Sequence, residues 1–366
     1  MTTILAIGDI HIQTKTLSDS REMLKKLVET VKDKKPDIIV LLGDILHTHE
    51  TVNTHCLNHA KDLFGKLSAF APLYVLVGNH DFIKNDEFMT ERHWMNSFKD
   101  SKYNITICDR TTPLKVNGNL IYMVPYVPPT RFKEALMMVN NETDNEEWKN
   151  AGCIFAHQEF YGCKFETGNS SEGDKWLEND PFVVSGHIHK KHWLAPNLYY
   201  TGSVMQHSFG EDSNKSVFLM TFSDNKMINS EEIDLQLPKY FNEYCKLEDL
   251  DNVIIPENND KLKLHITCEP GEFSTFKKSK EYKKLSDTGV KVVIKTLDNF
   301  NRKDNPLVKN LIDNGCCGES DDEGEAEGKE GKEGKEVRDY TFKNVLYSLI
   351  KDDDIMLEDY KNIIRY

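Results

Sequence analysis

Five short blocks in this 366-residue sequence carry side chains of the kind that hold metal ions. They are Gly8-Asp9-Ile10-His11, Gly43-Asp44, Gly78-Asn79-His80-Asp81, Ala156-His157 and Gly186-His187-Ile188-His189. Carboxylates, imidazoles and an amide together offer the mixed oxygen and nitrogen donors that suit manganese, iron or zinc. Only a carboxylate can bridge two such ions while balancing their charge, and Asp44 is the candidate bridge. Taken singly, each block is ordinary, since Gly-Asp is a common turn and an isolated histidine is more often a core or surface residue than a ligand. Five blocks in chain order, each closing an apolar run, point instead to one binuclear site.

The elements that must gather these blocks follow from the apolar pattern. Residues 3–7 read as a buried strand and 17–34 as an amphipathic helix with Leu24, Leu27, Val28 and Val31 on one face, broken by Pro36. A strand over 37–42, a helix over about 55–70 and a strand over 73–77 follow. This alternation predicts a parallel sheet, whose chemistry collects beyond the carboxyl ends of its strands. Apolar runs at 120–124, 152–156, 181–185 and 216–222 suggest a second sheet packed on the first. From about residue 237 a small α/β unit is expected, with a strand over 261–267, a helix over 274–285 and a strand over 290–297.

Residues 315–336 are Gly, Glu and Lys with almost nothing apolar, the composition of a disordered linker. Beyond it, Phe342, Val345, Leu346, Leu349 and Ile350 share one helical face and Met356, Leu357, Tyr360, Ile363 and Ile364 another, so a helical hairpin is expected. The net charge of -14 argues against a nucleic-acid partner, but nine acidic residues and three lysines between 319 and 336 supply about six of those charges. The eight scattered cysteines, Cys316 and Cys317 included, form no disulfide or zinc-knuckle pattern, so an intracellular protein, cytoplasmic or nuclear, is expected. No run approaches the roughly 18 to 20 apolar residues of a membrane span, and neither a membrane partner nor a signal peptide is expected.

The ordered blocks resemble the calcineurin-like metallophosphoesterase superfamily, with its GDxH, GD, GNH(D/E), separate His and GHxH motifs, over about residues 1–222. The resemblance implies a two-sheet sandwich flanked by helices. It also implies one divalent ion on Asp9, His11, Asp44 and His189 and another on Asp44, Asn79, His157 and His187, with His80 unliganded at the phosphate. Such an ion pair supplies an activated water for in-line attack on phosphorus and absorbs charge on the non-bridging oxygens, while His80 stabilises the developing charge or protonates the leaving oxygen.

Ile45-Leu46-His47 after the second block and Asn79-His80-Asp81 in the third are similar to the SbcD-type, or meiotic recombination eleven, DNA-repair nucleases, as is Ser208-Phe209-Gly210-Glu211 after Gly202-Ser203. That likeness implies a manganese-dependent exonuclease and endonuclease, with magnesium, iron or zinc as other ions and 3′-to-5′ polarity. In it His47 positions double-stranded DNA ends; of the histidines around it, His55 and His59 at helical spacing read as an exposed face, and no role is expected for them or for His49. It implies a homodimer and four segments: a nuclease domain over 1–236, a small capping domain over 237–305, an acidic linker over 306–339, and a hairpin over 340–366 that grips an SbcC-type coiled-coil ATPase. Lys277, Lys278, Lys280, Lys283 and Lys284 read equally well as phosphate contacts or as a solvated helix face. Two alternatives remain: a stand-alone phosphoesterase acting on RNA, cyclic nucleotides or small phosphodiesters, and a non-catalytic adaptor of the ATPase.

Overall fold

The computed structural model of the chain describes residues 1–49, 51–139, 144–165, 168–256 and 259–296. Its first strands are β1 Thr2–Ile7, β2 Ile38–Leu41, β3 Leu73–Leu76, β4 Ile105–Cys108, β5 Thr112–Val116, β6 Asn119–Val124 and β7 Cys153–His157. They are followed by β8 Val183–Gly186, β9 His192–Ala195, β10 Leu198–Tyr200, β11 Val217–Ser223, β12 Lys226–Ile233, β13 Tyr240–Lys246, β14 Lys261–Cys268 and β15 Lys291–Thr296. The helices are α1 Leu17–Lys34, α2 Thr54–Leu67, α3 Phe132–Met137, α4 Pro270–Phe276 and α5 Lys280–Asp287.

Two 6-stranded sheets form the body, in the orders β12-β11-β1-β2-β3-β4 and β5-β6-β7-β8-β10-β9. Strand alternation makes them stack. In β1, Leu5 and Ile7 turn toward Met23, Leu24 and Leu27 of α1, whereas Ile4 and Ala6 turn toward Ile121, Met123 and Phe155 of the second sheet. The outer face of the second sheet is closed by Phe132 and Leu136 of α3 and by Trp148. The result is the expected α/β sandwich of two mixed sheets with flanking helices.

A third sheet, β13-β14-β15, is parallel throughout. Tyr240 at its start is tied to the body, its amide donating to Gln206 Oε1 (2.8 Å).

Four details depart from the apolar pattern. The run over 216–222 does not extend the second sheet: β11 pairs antiparallel with β1, Ala6 opposite Phe218. Apolar spacing shows that a strand is buried but not which neighbour it will pair with. The helix expected over 274–285 is two helices, because Ser279 interrupts it and caps α5 by accepting the Tyr282 amide (3.1 Å). Strand β13 escaped notice because one of its faces stays exposed, so its sequence lacks a strong apolar run. Helix α2 stops at Leu67 and leaves Phe70 exposed. The expected linker over 306–339, the hairpin over 340–366 and the end of the capping segment lie outside the described residues.

Candidate metal centre

Every block emerges at the carboxyl end of a strand. Asp9 and His11 follow β1, Asp44 follows β2, Asn79 and His80 follow β3, His157 ends β7, and His187 and His189 follow β8. The first three of these strands run parallel in one sheet and the last two in the other. The two sheets therefore deliver their polar ends to one crevice.

The backbone is bent to aim these side chains. His11, Asp44 and His187 sit at φ of 43°, 50° and 76°, in the left-handed region that costs an L-residue roughly 1–2 kcal/mol. Hydrogen bonds hold them there: the Asp44 carbonyl accepts from the His11 amide (2.9 Å), and the His187 amide donates to Asp9 Oδ1 (2.9 Å). A Cβ on Gly78 would lie 2.2 Å from Asp44 Oδ1, so only glycine lets the third block approach the second. Asp81 then locks the two blocks together, accepting from the amides of Ile45 and Gly78 (both 3.1 Å) and from Trp94 Nε1 (2.9 Å). Burial and the charge of Asp44 push Asp81 up to about 7 against the pull of these donors.

Two sets of donor atoms contain a carboxylate, beside a third made of His11, His47 and His80. Those of Asp9, His11 and His189 lie within 4.8 Å of one another, as do those of Asp44, His157 and His187. His11 Nε2 is 3.0 Å from His189 Nε2 and 3.3 Å from Asp44 Oδ2. On the other side, His157 Nε2 is 3.0 Å from Asn79 Oδ1 and 3.4 Å from Asp44 Oδ1, and His187 Nδ1 is 2.9 Å from the same amide oxygen. Asp44 thus offers one oxygen to each set.

The geometry fits divalent ions. Donors bound at about 2.1 Å to a common ion stand about 3.0 Å apart along an octahedral edge and about 3.4 Å along a tetrahedral one. His157 donates its Nδ1 proton to the Leu42 carbonyl (2.7 Å), which leaves Nε2 as the atom facing Asn79 and Asp44. Buried lone pairs aimed at one another need positive charge between them. Burial opposes charge on His157, yet Asp44 and Asp9 lift it to about 9. Burial likewise works against the Asp44 carboxylate, but His157 and His11 hold it well below the usual range.

Outside the two sets stand residues of other kinds. His80 donates Nδ1–H to the His47 carbonyl (2.7 Å) and its amide to Asp44 Oδ1 (2.9 Å), and among the described residues its Nε2 has no hydrogen-bond partner. The His47 ring is exposed and stacks parallel to His80 (5.7 Å, 13°), with its Nδ1 3.3 Å from His11 Nδ1. His49, for which no role is expected from the sequence, stacks on His80 as well (4.4 Å, 26°). His55 is exposed, but His59 is buried on α2 rather than on an open face.

Sequence reading missed a supporting layer. Glu211 accepts from His189 Nδ1 (3.2 Å) and the His207 amide (3.2 Å) and pairs with Lys215 (3.0 Å), orienting the His189 ring. Burial resists its charge, but His189 and Lys215 bring Glu211 down to about 2. His207 is half-buried, with its ring 5.1 Å from that of His11 and 5.4 Å from that of His189. Glu159 lies 3.9 Å behind His187. The motif containing Glu211 was visible in the sequence, but its contact with His189 was not.

The calcineurin-like phosphoesterase family matches residues 2–219. The chain is 40% identical over 282 residues to "Putative phosphoesterase 244L" of Invertebrate iridescent virus 6, covering 76% of this chain and 98% of that protein. It is 38% identical over 296 residues to "Putative phosphoesterase 078R" of Invertebrate iridescent virus 3, covering 80% and 84%. Among solved structures, a phosphoesterase of Escherichia coli, Yfce, aligns with a TM-score of 0.32 at 11% identity, covering 63% of this chain and 99% of that one.

Proposed function

This chain belongs to the calcineurin-like phosphoesterases, and from that premise we propose that it is a metal-dependent phosphodiesterase acting on its own on RNA, cyclic nucleotides or small phosphodiesters. The reading rests on one observation: Asp44 is shared by two donor sets, with His80 held beside them. Two divalent ions bound there supply an activated water and charge neutralisation at phosphorus. The chain's own residues do the rest. Asp44 spans the two donor sets, Asn79 joins His157 to His187 within one of them, and the His47 carbonyl fixes the His80 tautomer so that Nε2 faces outward. A proton carried on that Nε2 is placed for delivery to the leaving oxygen. The mixture of carboxylate, amide and imidazole favours manganese, with magnesium, iron and zinc as the ions to compare. The 6 described cysteines are free, and together with the viral relatives this supports action inside a host cell.

A second reading, an SbcD-type nuclease for double-stranded DNA ends, is favoured by two observations. His47 stands over His80, and Glu211 of the Ser208-Phe209-Gly210-Glu211 segment reaches back to His189. That reading carries with it a homodimer and an ATPase partner held by 340–366. Manganese-dependent hydrolysis of a chromogenic phosphodiester, compared with end-labelled duplex DNA, separates the two, with His80→Ala as the control. Turnover of the small ester with intact duplex supports the stand-alone enzyme; shortening of the duplex selects the nuclease. Metal binding with neither activity would reject both and leave the adaptor.

A further inference from the structure

Among the described residues, the third sheet is covered by helices on one face only. Leu264 and Ile266 of β14 and Ile294 of β15 pack with Phe276 of α4 and Leu285 of α5. The parallel register places Lys263 beside Lys291, Tyr244 beside His265, Lys246 beside Thr267, and Thr267 beside Lys295, all on the opposite face. None of the three strands contributes a carboxylate of its own to that face, in a chain whose net charge is -14, although Asp19 of α1 reaches Tyr240 and Lys261 at its edge. Lys246 pairs with Glu248 (3.3 Å), and among the described residues no ion pair engages Lys263, Lys291 or Lys295.

In the middle of these lysines lies a flat platform. Tyr244 is 71% exposed, and its ring stacks on that of His265 at 4.5 Å and 11°. His265 is anchored by Asn242 Oδ1 (3.2 Å), and burial with the charges of Lys263 and Lys295 favours its neutral form. The platform is also continuous with the metal centre. Asn242 donates to the carbonyl of Phe209, whose ring packs on Tyr240 (5.0 Å). Phe209 stands two residues before the Glu211 that orients His189.

We propose that this open face binds a single-stranded polynucleotide, one base stacked on Tyr244 and neighbouring phosphates on Lys263, Lys291 and Lys295, adjoining the metal centre. The inference rests on the phosphodiesterase reading of that centre and names its substrate class. The chemistry excludes the nearest competitors: an acidic peptide would use the lysines but gain nothing from a flat exposed ring, and a duplex keeps its base faces hidden. An unpaired strand uses both.

The test is fluorescence anisotropy with the full chain in EDTA, where nothing is cut. The probes are labelled deoxythymidine and uridine strands of about 15 nucleotides, at salt between about 50 and 200 mM. Tyr244→Ala should weaken binding roughly 5- to 150-fold while Tyr244→Phe retains it. The triple variant Lys263→Glu, Lys291→Glu, Lys295→Glu should weaken it more than about tenfold and flatten the salt slope by about 2. Binding of either sugar supports the proposal, because stacking reads neither. Hydrolysis of a small phosphodiester with manganese restored should be unchanged in every variant, which also reports folding. The proposal is overturned by tighter binding of duplex or of polyglutamate, by indifference to both sets of variants, or by loss on Lys280→Glu, Lys284→Glu of the helical face instead. Wild-type protein that cleaves the small ester but binds no strand sinks this inference alone; protein that binds strands but hydrolyses nothing sinks the phosphodiesterase reading alone.

Discussion

Asp44 and Asp109 both sit beyond the carboxyl end of a strand in the first sheet, after β2 and β4, and both are buried, at 2% and 3% exposure. Their surroundings differ in kind. Asp109 accepts from Lys99 Nζ (2.6 Å) and faces His93 Nε2 (3.2 Å), so its charge is met by groups that the chain itself brings. Asp44 meets imidazole nitrogens that also face one another and an amide oxygen, with no lysine or arginine among them. A structural ionic cluster closes its own charge balance, whereas a metal centre leaves lone pairs converging on a gap. Burial and a perturbed carboxylate are common to both sites, so neither identifies function by itself. The direction in which the partner lone pairs point does.

The largest effect should come from opening the bridge. Asp44→Asn preserves shape and tolerates the left-handed backbone at this position, but removes the charge shared by both donor sets. Phosphodiester hydrolysis should fall on the order of 10³-fold or more. Elemental analysis should show loss of bound ion, and the rise in Tm on adding manganese should shrink, since an ion at about 100 times its Kd contributes about 2.7 kcal/mol to the wild type. Near-normal turnover with full metal content would mean that Asp44 is not the shared ligand.

The two sides of this comparison differ in how far they are legible from sequence. Asp9, Asp44, Asn79, His157, His187 and His189 each end or follow a buried run, so a local signal marks them. What brings them together is long-range: the Asp9 contact with the His187 amide spans 178 residues. Here the family resemblance, rather than any periodicity, divided the ligands between two ions. The supporting residues had no such help. Glu211 matters because it lies 3.2 Å from a ring 22 positions earlier, and His207 because its ring packs against those of two candidate ligands, His11 and His189. The strand β11 is similar, its apolar run visible and its partner β1 a matter of pairing across the whole body. Local chemistry was therefore readable, and the second layer and the strand order required coordinates.

Glu211 sharpens the comparison because it belongs to both kinds of site. Like Asp109 it has its own lysine, Lys215, yet it also touches a candidate ligand ring at His189 Nδ1. Glu211→Gln should lower metal affinity about 10- to 100-fold, with much of the turnover recovered at excess manganese. Metal titration by calorimetry reads this directly. Loss of stability with metal affinity intact would assign Glu211 to the purely structural class alongside Asp109.

The smallest effect on chemistry should come from Asp109→Asn, and here the expected change is in stability. The variant leaves Lys99 and His93 without their carboxylate, which should cost about 1–3 kcal/mol while metal content and turnover stay at wild-type levels. Burial raises the Asp109 carboxyl, but His93 and Lys99 outweigh it and bring the group to about 2. A carboxylate whose folded pKa lies below its unfolded value of about 3.9 stabilises the fold fully above that value. The contribution is lost as pH falls through the interval down to about 2. The stability gap between wild type and Asp109→Asn, measured by urea unfolding, should therefore be constant at neutral pH and narrow steadily below about pH 4, because contributions from other acids largely cancel in the difference. A gap that persists undiminished at the acid end would show that packing, rather than the charge of Asp109, holds this end of β4.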